Sequence, residues 1–106
     1  MITYEDFAKL EIKIGTIVSA IKVEKSEKLL QLQIDLGDET RQVISGIAQF
    51  YDPTDLVGRQ VPVLINLEPK EIMGLTSNGM ILAADEEGTA VLLHPDKKIS
   101  DGSKVR

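Results

Sequence analysis

The sequence predicts an all-β protein, a five-stranded barrel with short helices and a C-terminal extension. Apolar residues alternate with polar ones over several short stretches, which is the pattern of half-buried strands. Glycine-rich turns separate these stretches, and one well-capped short helix falls between the third and fourth of them. Together these features favour a small closed or nearly closed barrel over a helical bundle or a parallel sheet.

The first three strands form the front of the predicted barrel. In the first strand the alternation places Ile12, Ile14, Val18 and Ala20 on the inner face and Ile17 on the outer one. The second strand repeats the pattern over residues 30–36, with leucine and isoleucine at the even positions. Gly37-Asp38 then predicts a two-residue hairpin turn into the third strand, Glu39 to Ser45.

Two short helices interrupt the strands. Thr3 is a plausible N-cap for a turn through Tyr4 to Lys9. Asp52 is a clearer N-cap, because Pro53 follows at the first helical position and Gly58 lies beyond the end. A helix between strands three and four is typical of the oligonucleotide/oligosaccharide-binding (OB) fold, so we predict that fold.

The second half of the chain supplies the remaining strands. Val61 to Leu67 is the fourth, with Pro62 indicating an edge position or a strand start. Met80 to Ala84 and Ala90 to Leu93 follow, joined by an acidic Glu-Glu-Gly turn. We expect residues 85–106 to pack outside the barrel.

Length and composition set the class of protein. The 106 residues predict a single domain, 1–106. The absence of cysteine excludes disulfides, and the single histidine, His94, disfavours a zinc site, so no cofactor is expected. No signal peptide and no apolar run of membrane-spanning length are present, which predicts a cytoplasmic protein that does not contact membranes.

The net charge of −5 is unusual for a protein that binds nucleic acid. The charges are unevenly distributed, however. Residues 97–106 carry four cations and one carboxylate, whereas residues 71–96 carry five carboxylates and no lysine or arginine. One face could therefore still bind phosphates, although the acidic residues would equally serve to keep the protein soluble.

Catalytic motifs are poorly supported. Gly74 to Gly79 has the glycine spacing of a phosphate-binding loop, but Met80-Ile81 stands where Lys-Ser/Thr should follow. Ser77 lacks the glycine that a nucleophile elbow requires two residues earlier. We therefore expect neither enzymatic activity nor a small-molecule substrate.

Binding residues are easier to identify. Barrels of this fold bind on strands two and three and on the loops after strands one and four. The first loop, Lys22 to Lys28, carries three lysines, and the second, Glu68 to Gly79, carries Lys70, Ser77 and Asn78. Arg41 lies on strand three between them. None of the four aromatic residues lies on strands two or three, which disfavours recognition by base stacking.

Several motifs resemble those of one family. They are Leu-Glu-Ile-Lys-Ile-Gly from Leu10, Val23 to Leu32, Ser45-Gly46-Ile47-Ala48, and above all Asn66 to Ala84. In this order they resemble the tRNA-binding domain at the C-terminus of many methionyl-tRNA synthetases, which also occurs in endothelial monocyte-activating polypeptide II. The resemblance is closest to the stand-alone bacterial structure-specific tRNA-binding protein.

The resemblance implies non-catalytic binding to the outer corner of folded tRNA by a homodimer. The family's ligand-contacting positions fall on Lys28, Asn66, Lys70, Ser77 and Met80, with Arg41 as an addition from strand three. Taken by itself, Met80 is either a core residue, which the sequence slightly favours, or a flexible apolar contact to an exposed base. Glu71 replaces a basic residue that many members have after the Pro-Lys turn, and Lys13 replaces an arginine of strand one.

Three roles stay open at this stage. The chain could be a stand-alone tRNA-binding homodimer, or the excised dimerisation and tRNA-binding domain of a methionyl-tRNA synthetase, with Met1 favouring the complete protein. A secretion-associated, chaperone-like protein of the same fold, which would bind peptides or unfolded proteins, is the alternative. For the dimer, apolar residues beyond one small core are the candidate interface residues, namely Val91, Leu92, Leu93 and Ile99.

Overall fold

The computed structural model describes residues 1–106. Strands dominate the chain, and the two helices are single turns or little more, as predicted. The helices are α1 (Tyr4–Ala8) and α2 (Pro53–Leu56). The strands are β1 (Ile12–Lys22), β2 (Leu30–Asp35), β3 (Thr40–Ser45), β4 (Gln60–Leu64), β5 (Lys70–Ile72), β6 (Leu75–Ser77), β7 (Met80–Ile81), β8 (Ala83–Glu86), β9 (Thr89–Leu92) and β10 (Lys104–Val105).

The barrel is one antiparallel sheet with the strand order β3-β2-β1-β4-β7. The long strand β1 pairs with β4 over residues 12–16 and with β2 over residues 16–22. It therefore bends from one side of the barrel to the other. This arrangement is the nearly closed five-stranded barrel that the sequence predicts.

The inner face of β1 differs from the predicted one. Gly15 pairs with the fully buried Val61, whereas Ile12 and Ile14 lie on the opposite face and are buried outside the main core. A β-bulge between Ile17 and Ser19 then inserts an extra residue. Ile17, on the same face as Gly15, is completely buried in the core, and Val18 at the bulge is 48% exposed, the reverse of the prediction.

The glycine in β1 allows β2 to pack closely. A Cβ atom on Gly15 would lie 2.6 Å from the Cγ2 atom of Ile34 and 2.9 Å from the carbonyl oxygen of Asp35. Both distances are below any normal contact, so a side chain here would push the two strands apart. The side chains of Ile34 and Leu36 occupy that space, and together with Leu30 and Leu32 they belong to the core, as predicted.

Strand β4 lies inside the sheet, not at its edge, so the edge position predicted from Pro62 is wrong. The backbone groups of Ile14, its partner on β1, bond instead to residues 102 and 103. Pro62 therefore occupies a position where no hydrogen bond to β1 is needed, which makes its missing N–H harmless. The strand ends at Leu64, earlier than predicted, and the amide of Ile65 still donates to the carbonyl of Glu11, the next position in the same register.

The C-terminal part is more integrated than predicted. The stretch from Met80 divides into β7 and β8, and β8 forms a separate hairpin with β9 around a turn at Glu87-Gly88. The side chain of Leu92 packs into the main core, so it is not available for an interface. The unpredicted strand β10 pairs with the first residues of β1.

Both helices begin at the predicted caps. The Thr3 hydroxyl accepts a hydrogen bond from the amide of Asp6, and the Asp6 carboxylate accepts one from the amide of Thr3. The carboxylate of Asp52 accepts a hydrogen bond from the amide of Thr54, which lowers the pKa of Asp52 below its usual range. No helix is long and apolar enough to cross a membrane.

Candidate nucleic-acid interface

The predicted loop after strand four contains a small hairpin formed by β5 and β6. Lys70 pairs with Ser77, and Ile72 pairs with Leu75. The two turn residues, Met73 and Gly74, have φ angles of 53° and 78°. This is the type I′ turn that joins two tightly paired strands, usually with Asn-Gly or Asp-Gly at its centre. The hairpin gives the segment a fixed shape.

Ser77 fixes this hairpin to the barrel. Its side chain is only 5% exposed, its hydroxyl accepts a hydrogen bond from the amide of Ile44 at 2.9 Å, and it donates one to the carbonyl of Gly79 at 3.2 Å. The amide of Asn78 also donates to the carbonyl of Gln42 at 2.8 Å. These bonds join β3 to the chain just before β7, where the barrel would otherwise be open. Ser77 therefore has a structural role.

Three glutamines on β2 and β3 add a second attachment between the β5–β6 hairpin and the barrel. The side-chain oxygen of Gln42 accepts hydrogen bonds from the side-chain amides of Gln31 and Gln33 at 2.8 and 2.9 Å. Its own amide donates to the carbonyl of Thr76 at 2.9 Å. The sheet face and the hairpin are thus joined by one amide group. No sequence motif marked Gln42, although three glutamines at alternating positions of a hairpin indicate cross-strand pairing.

Lys70 is exposed on this fixed hairpin and forms no ion pair. The neighbouring Glu71 does not pair with it, because its carboxylate accepts a hydrogen bond from the Thr76 hydroxyl across the hairpin. This hydrogen bond orients the carboxylate toward Thr76 but leaves its negative charge in place. The ammonium group of Lys70 is free to contact an anion.

Arg41 and Asn66 lie close together but are already engaged. The guanidinium of Arg41 pairs with Glu39 at 2.8 Å, donates to the carbonyl of Ile65 and lowers the pKa of Glu39 below its usual range. The side-chain amide of Asn66 accepts from the amide of Glu11 at 2.9 Å and donates to the carbonyl of Lys9 at 2.7 Å. Both side chains link separate parts of the backbone.

Met80 and Lys28 complete the predicted set. Met80 pairs with Leu64 on β4, and its side chain is 45% exposed, so the interpretation as a core residue is wrong. Lys28 is exposed in the loop before β2 and forms no ion pair. Arg41 pairs with Ile34, which is four positions after Leu30 and about 13 Å from it along β2. Lys28 therefore lies apart from Arg41.

Comparison with known proteins identifies the family. The family model described as "Putative tRNA binding domain" matches residues 12–104. The chain belongs to the tRNA-binding domain family. It is 54% identical over 104 residues to the methionine–tRNA ligase of Archaeoglobus fulgidus and 55% identical over 106 residues to that of Methanoregula boonei. These matches cover 98% and 100% of the chain but only 16% of each ligase.

Solved structures share the whole fold of this tRNA-binding domain. A MetRS related protein from Pyrococcus horikoshii has a TM-score of 0.96 and 31% identity, and the match covers 100% of this chain and 98% of that one. The chaperone CsaA from Bacillus anthracis has a TM-score of 0.92 and 32% identity, with 100% and 99% covered. The fold is therefore common to proteins described as synthetase-related and proteins described as chaperones.

Proposed function

We propose that this chain binds folded tRNA without catalysis, at the outer corner of the molecule and with little regard to sequence. The family match over residues 12–104 carries the proposal. The geometry supports it, because Lys70 projects from a hairpin that is fixed to the barrel, as shape recognition requires. With no aromatic side chain on β2 or β3, contacts to the RNA backbone are favoured over base stacking.

Two kinds of residue contribute in this proposal. Lys70, Lys28 and Met80 have exposed side chains and would touch the RNA directly. Ser77, Asn66 and Arg41 would act mainly by fixing the backbone around the interface, since the side chain of each already bonds to a backbone group elsewhere in the protein. The protein would act in the cytoplasm, either alone or as part of a methionyl-tRNA synthetase.

Lys70→Ala is expected to weaken tRNA binding about three- to tenfold without changing stability, because an exposed cation contributes to phosphate contacts and little to the core. The log–log salt dependence of the binding constant should become shallower by about 0.7 to 0.9, the value for one phosphate. A filter-binding or gel-shift titration measures both. Lys104→Ala, another exposed lysine, is the matched control.

The same filter-binding or gel-shift titration tests whether the chain recognises the folded shape of tRNA. Whole tRNA should bind more tightly than an isolated anticodon stem-loop or an unstructured RNA of equal length. Equal binding of all three RNAs would contradict structure-specific recognition. If Lys70→Ala and Lys28→Ala both bound tRNA like the parent, the assignment of these contacts would be wrong.

We also propose a homodimer that contacts one tRNA with both subunits. Val91, Leu93 and Ile99 are apolar and more than 40% exposed, and association would remove them from water. Sedimentation at micromolar concentration should show a species of twice the chain mass of 11.7 kDa. Val91→Glu should shift it toward the monomer, and a monomeric parent would contradict this arrangement.

A chaperone-like role is the second candidate, supported by the similarity to the CsaA structure with a TM-score of 0.92. In that role the exposed apolar side chains would bind unfolded segments. Suppression of aggregation of a heat-denatured reporter protein, measured beside the tRNA assay, separates the two. Suppression without tRNA binding would favour the chaperone-like role.

A further inference from the structure

A polar cleft lies between the start of β4 and the segment 94–98. Its volume of about 730 Å³ is within the usual range for ligand sites, and most of its lining side chains are polar or charged. Thr16 and Gln60 form part of its wall, and the remaining residues come from 58–59 and 94–98. The polar and charged side chains around a cleft of this size suit a charged, hydrophilic ligand.

The charge of this cleft is opposite to that of the whole protein. Arg59, Lys97 and Lys98 line it against a single lining carboxylate, Asp96, while the chain as a whole carries −5. None of the three cations takes part in an ion pair. Three unpaired cations around one concave space indicate an anionic ligand.

The wall of the cleft is held in place by hydrogen bonds. The side-chain amide of Gln60 donates to the carbonyl of Ile99 at 2.6 Å and to Asp101 at 3.0 Å, and the Thr16 hydroxyl donates to the same Asp101 oxygen at 2.6 Å. The ring nitrogen Nδ1 of His94 lies 2.9 Å from the carbonyl oxygen of Gln60. These bonds fix the tail across the start of β4. They also occupy one oxygen of Asp101, the other carboxylate near the cleft.

The cleft is separate from the candidate nucleic-acid interface around Asn66 and Lys70. It lies at Gln60, the first residue of β4, whereas Asn66 and Lys70 follow the end of that strand. The strand itself is about 13 Å long between Gln60 and Leu64. None of the predicted RNA-contacting residues lines the cleft.

We propose that this cleft binds a phosphodiester segment of the tRNA backbone and so forms a second contact, which rests on the proposed tRNA-binding function. The ligand chemistry is a phosphate ester. Arg59 can bind a phosphate through two parallel N–H groups, while Lys97 and Lys98 act as point charges. The Thr16 hydroxyl and the Gln60 amide in the wall suit the hydroxyl groups of a ribose.

The test uses the full chain with Arg59, Lys97 and Lys98 all changed to glutamine. The matched control changes Lys9, Lys104 and Arg106 to glutamine, which alters the net charge equally but leaves the cleft intact. The cleft variant should bind tRNA about tenfold or more weakly, and its log–log salt slope should be shallower by about 2, from the loss of up to three phosphate contacts. The control should keep most of the parent slope.

A second measurement keeps this test independent of the Lys70 interface. Adenosine monophosphate at millimolar concentration should shift the backbone amide signals of Gly58, Arg59, Lys97 and Lys98 in an NMR titration of the parent and of Lys70→Ala. If the parent bound no tRNA at all, the proposed function would fail together with the tRNA assignment of the cleft. If the parent bound tRNA but the cleft variant matched the control, the cleft proposal alone would be overturned. Shifts with adenosine monophosphate in that case would identify a free nucleotide as the ligand instead.

Discussion

Gly79→Ala is expected to lower the free energy of unfolding by about 3 to 5 kcal/mol. The residue has a φ angle of +131°, a region that side-chain-bearing residues rarely adopt. Its added Cβ atom would also lie 2.9 Å from the carbonyl oxygen of Leu64 on β4. Backbone strain and steric overlap therefore act together at the point where the chain enters β7. Urea unfolding followed by far-ultraviolet circular dichroism measures the effect.

Substitutions at two other glycines separate the effect of backbone strain from that of steric overlap. Gly74→Ala places a Cβ in open space but at a φ of +78°, so only backbone strain of about 1 to 2 kcal/mol is expected. Gly46→Ala has neither a close neighbour nor a positive φ and should change stability by less than about 0.5 kcal/mol. If Gly79→Ala were as stable as Gly46→Ala, the packing at the start of β7 would not be as described.

Ser77→Ala is expected to cost about 1 to 3 kcal/mol, because it leaves the amide of Ile44 without an acceptor in a site that is only 7% exposed. Amide hydrogen exchange should be faster at Ile44 and Asn78, on the two sides of the barrel closure. The control is Ser103→Ala, which removes a hydroxyl that donates only to the carbonyl of Ser100 near the surface and should be nearly neutral, because water can replace it. Unchanged stability in Ser77→Ala would show that the hydroxyl is not needed to close the barrel.

Ser77→Ala also distinguishes a structural role of the Ser77 hydroxyl from direct contact with RNA. A tRNA assay at a temperature where Ser77→Ala is fully folded isolates the side chain from the stability of the hairpin. Under the structural role, binding should remain close to that of the parent. A large loss of affinity in the folded variant would instead support direct contact with RNA.

The sequence predicts the strands well because burial alternates along them, and the glycine turns and helix caps act locally. It does not predict which face of β1 points inward. Both faces of the strand's first half carry buried residues, and the bulge near Val18 reverses the alternation, so period-two counting cannot choose between Ile17 and Val18. That choice depends on which neighbour β1 pairs with at each point.

The candidate site is predicted only in part for a similar reason. Charged residues such as Lys28 and Lys70 are exposed, as their loop positions indicate. The hairpin that fixes Lys70 is missed, because its Met73-Gly74 turn lacks the usual Asn-Gly or Asp-Gly pair. The engagement of Arg41, Asn66 and Ser77 with distant backbone groups depends on tertiary contacts that no local pattern encodes.

The two hydrogen bonds of the Asn66 side chain, to the backbone of Lys9 and Glu11, have a consequence for the N-terminal helix. Helix α1 has no buried residue, so its docking depends heavily on the amide that bonds to residues 9 and 11. The helix can consequently detach in a local opening that leaves the barrel folded. A ligand that takes over the Asn66 amide must break the same two bonds, so its binding and the docking of the helix compete. Because such linkage is reciprocal, whatever stabilises the docked helix weakens that ligand by the same factor.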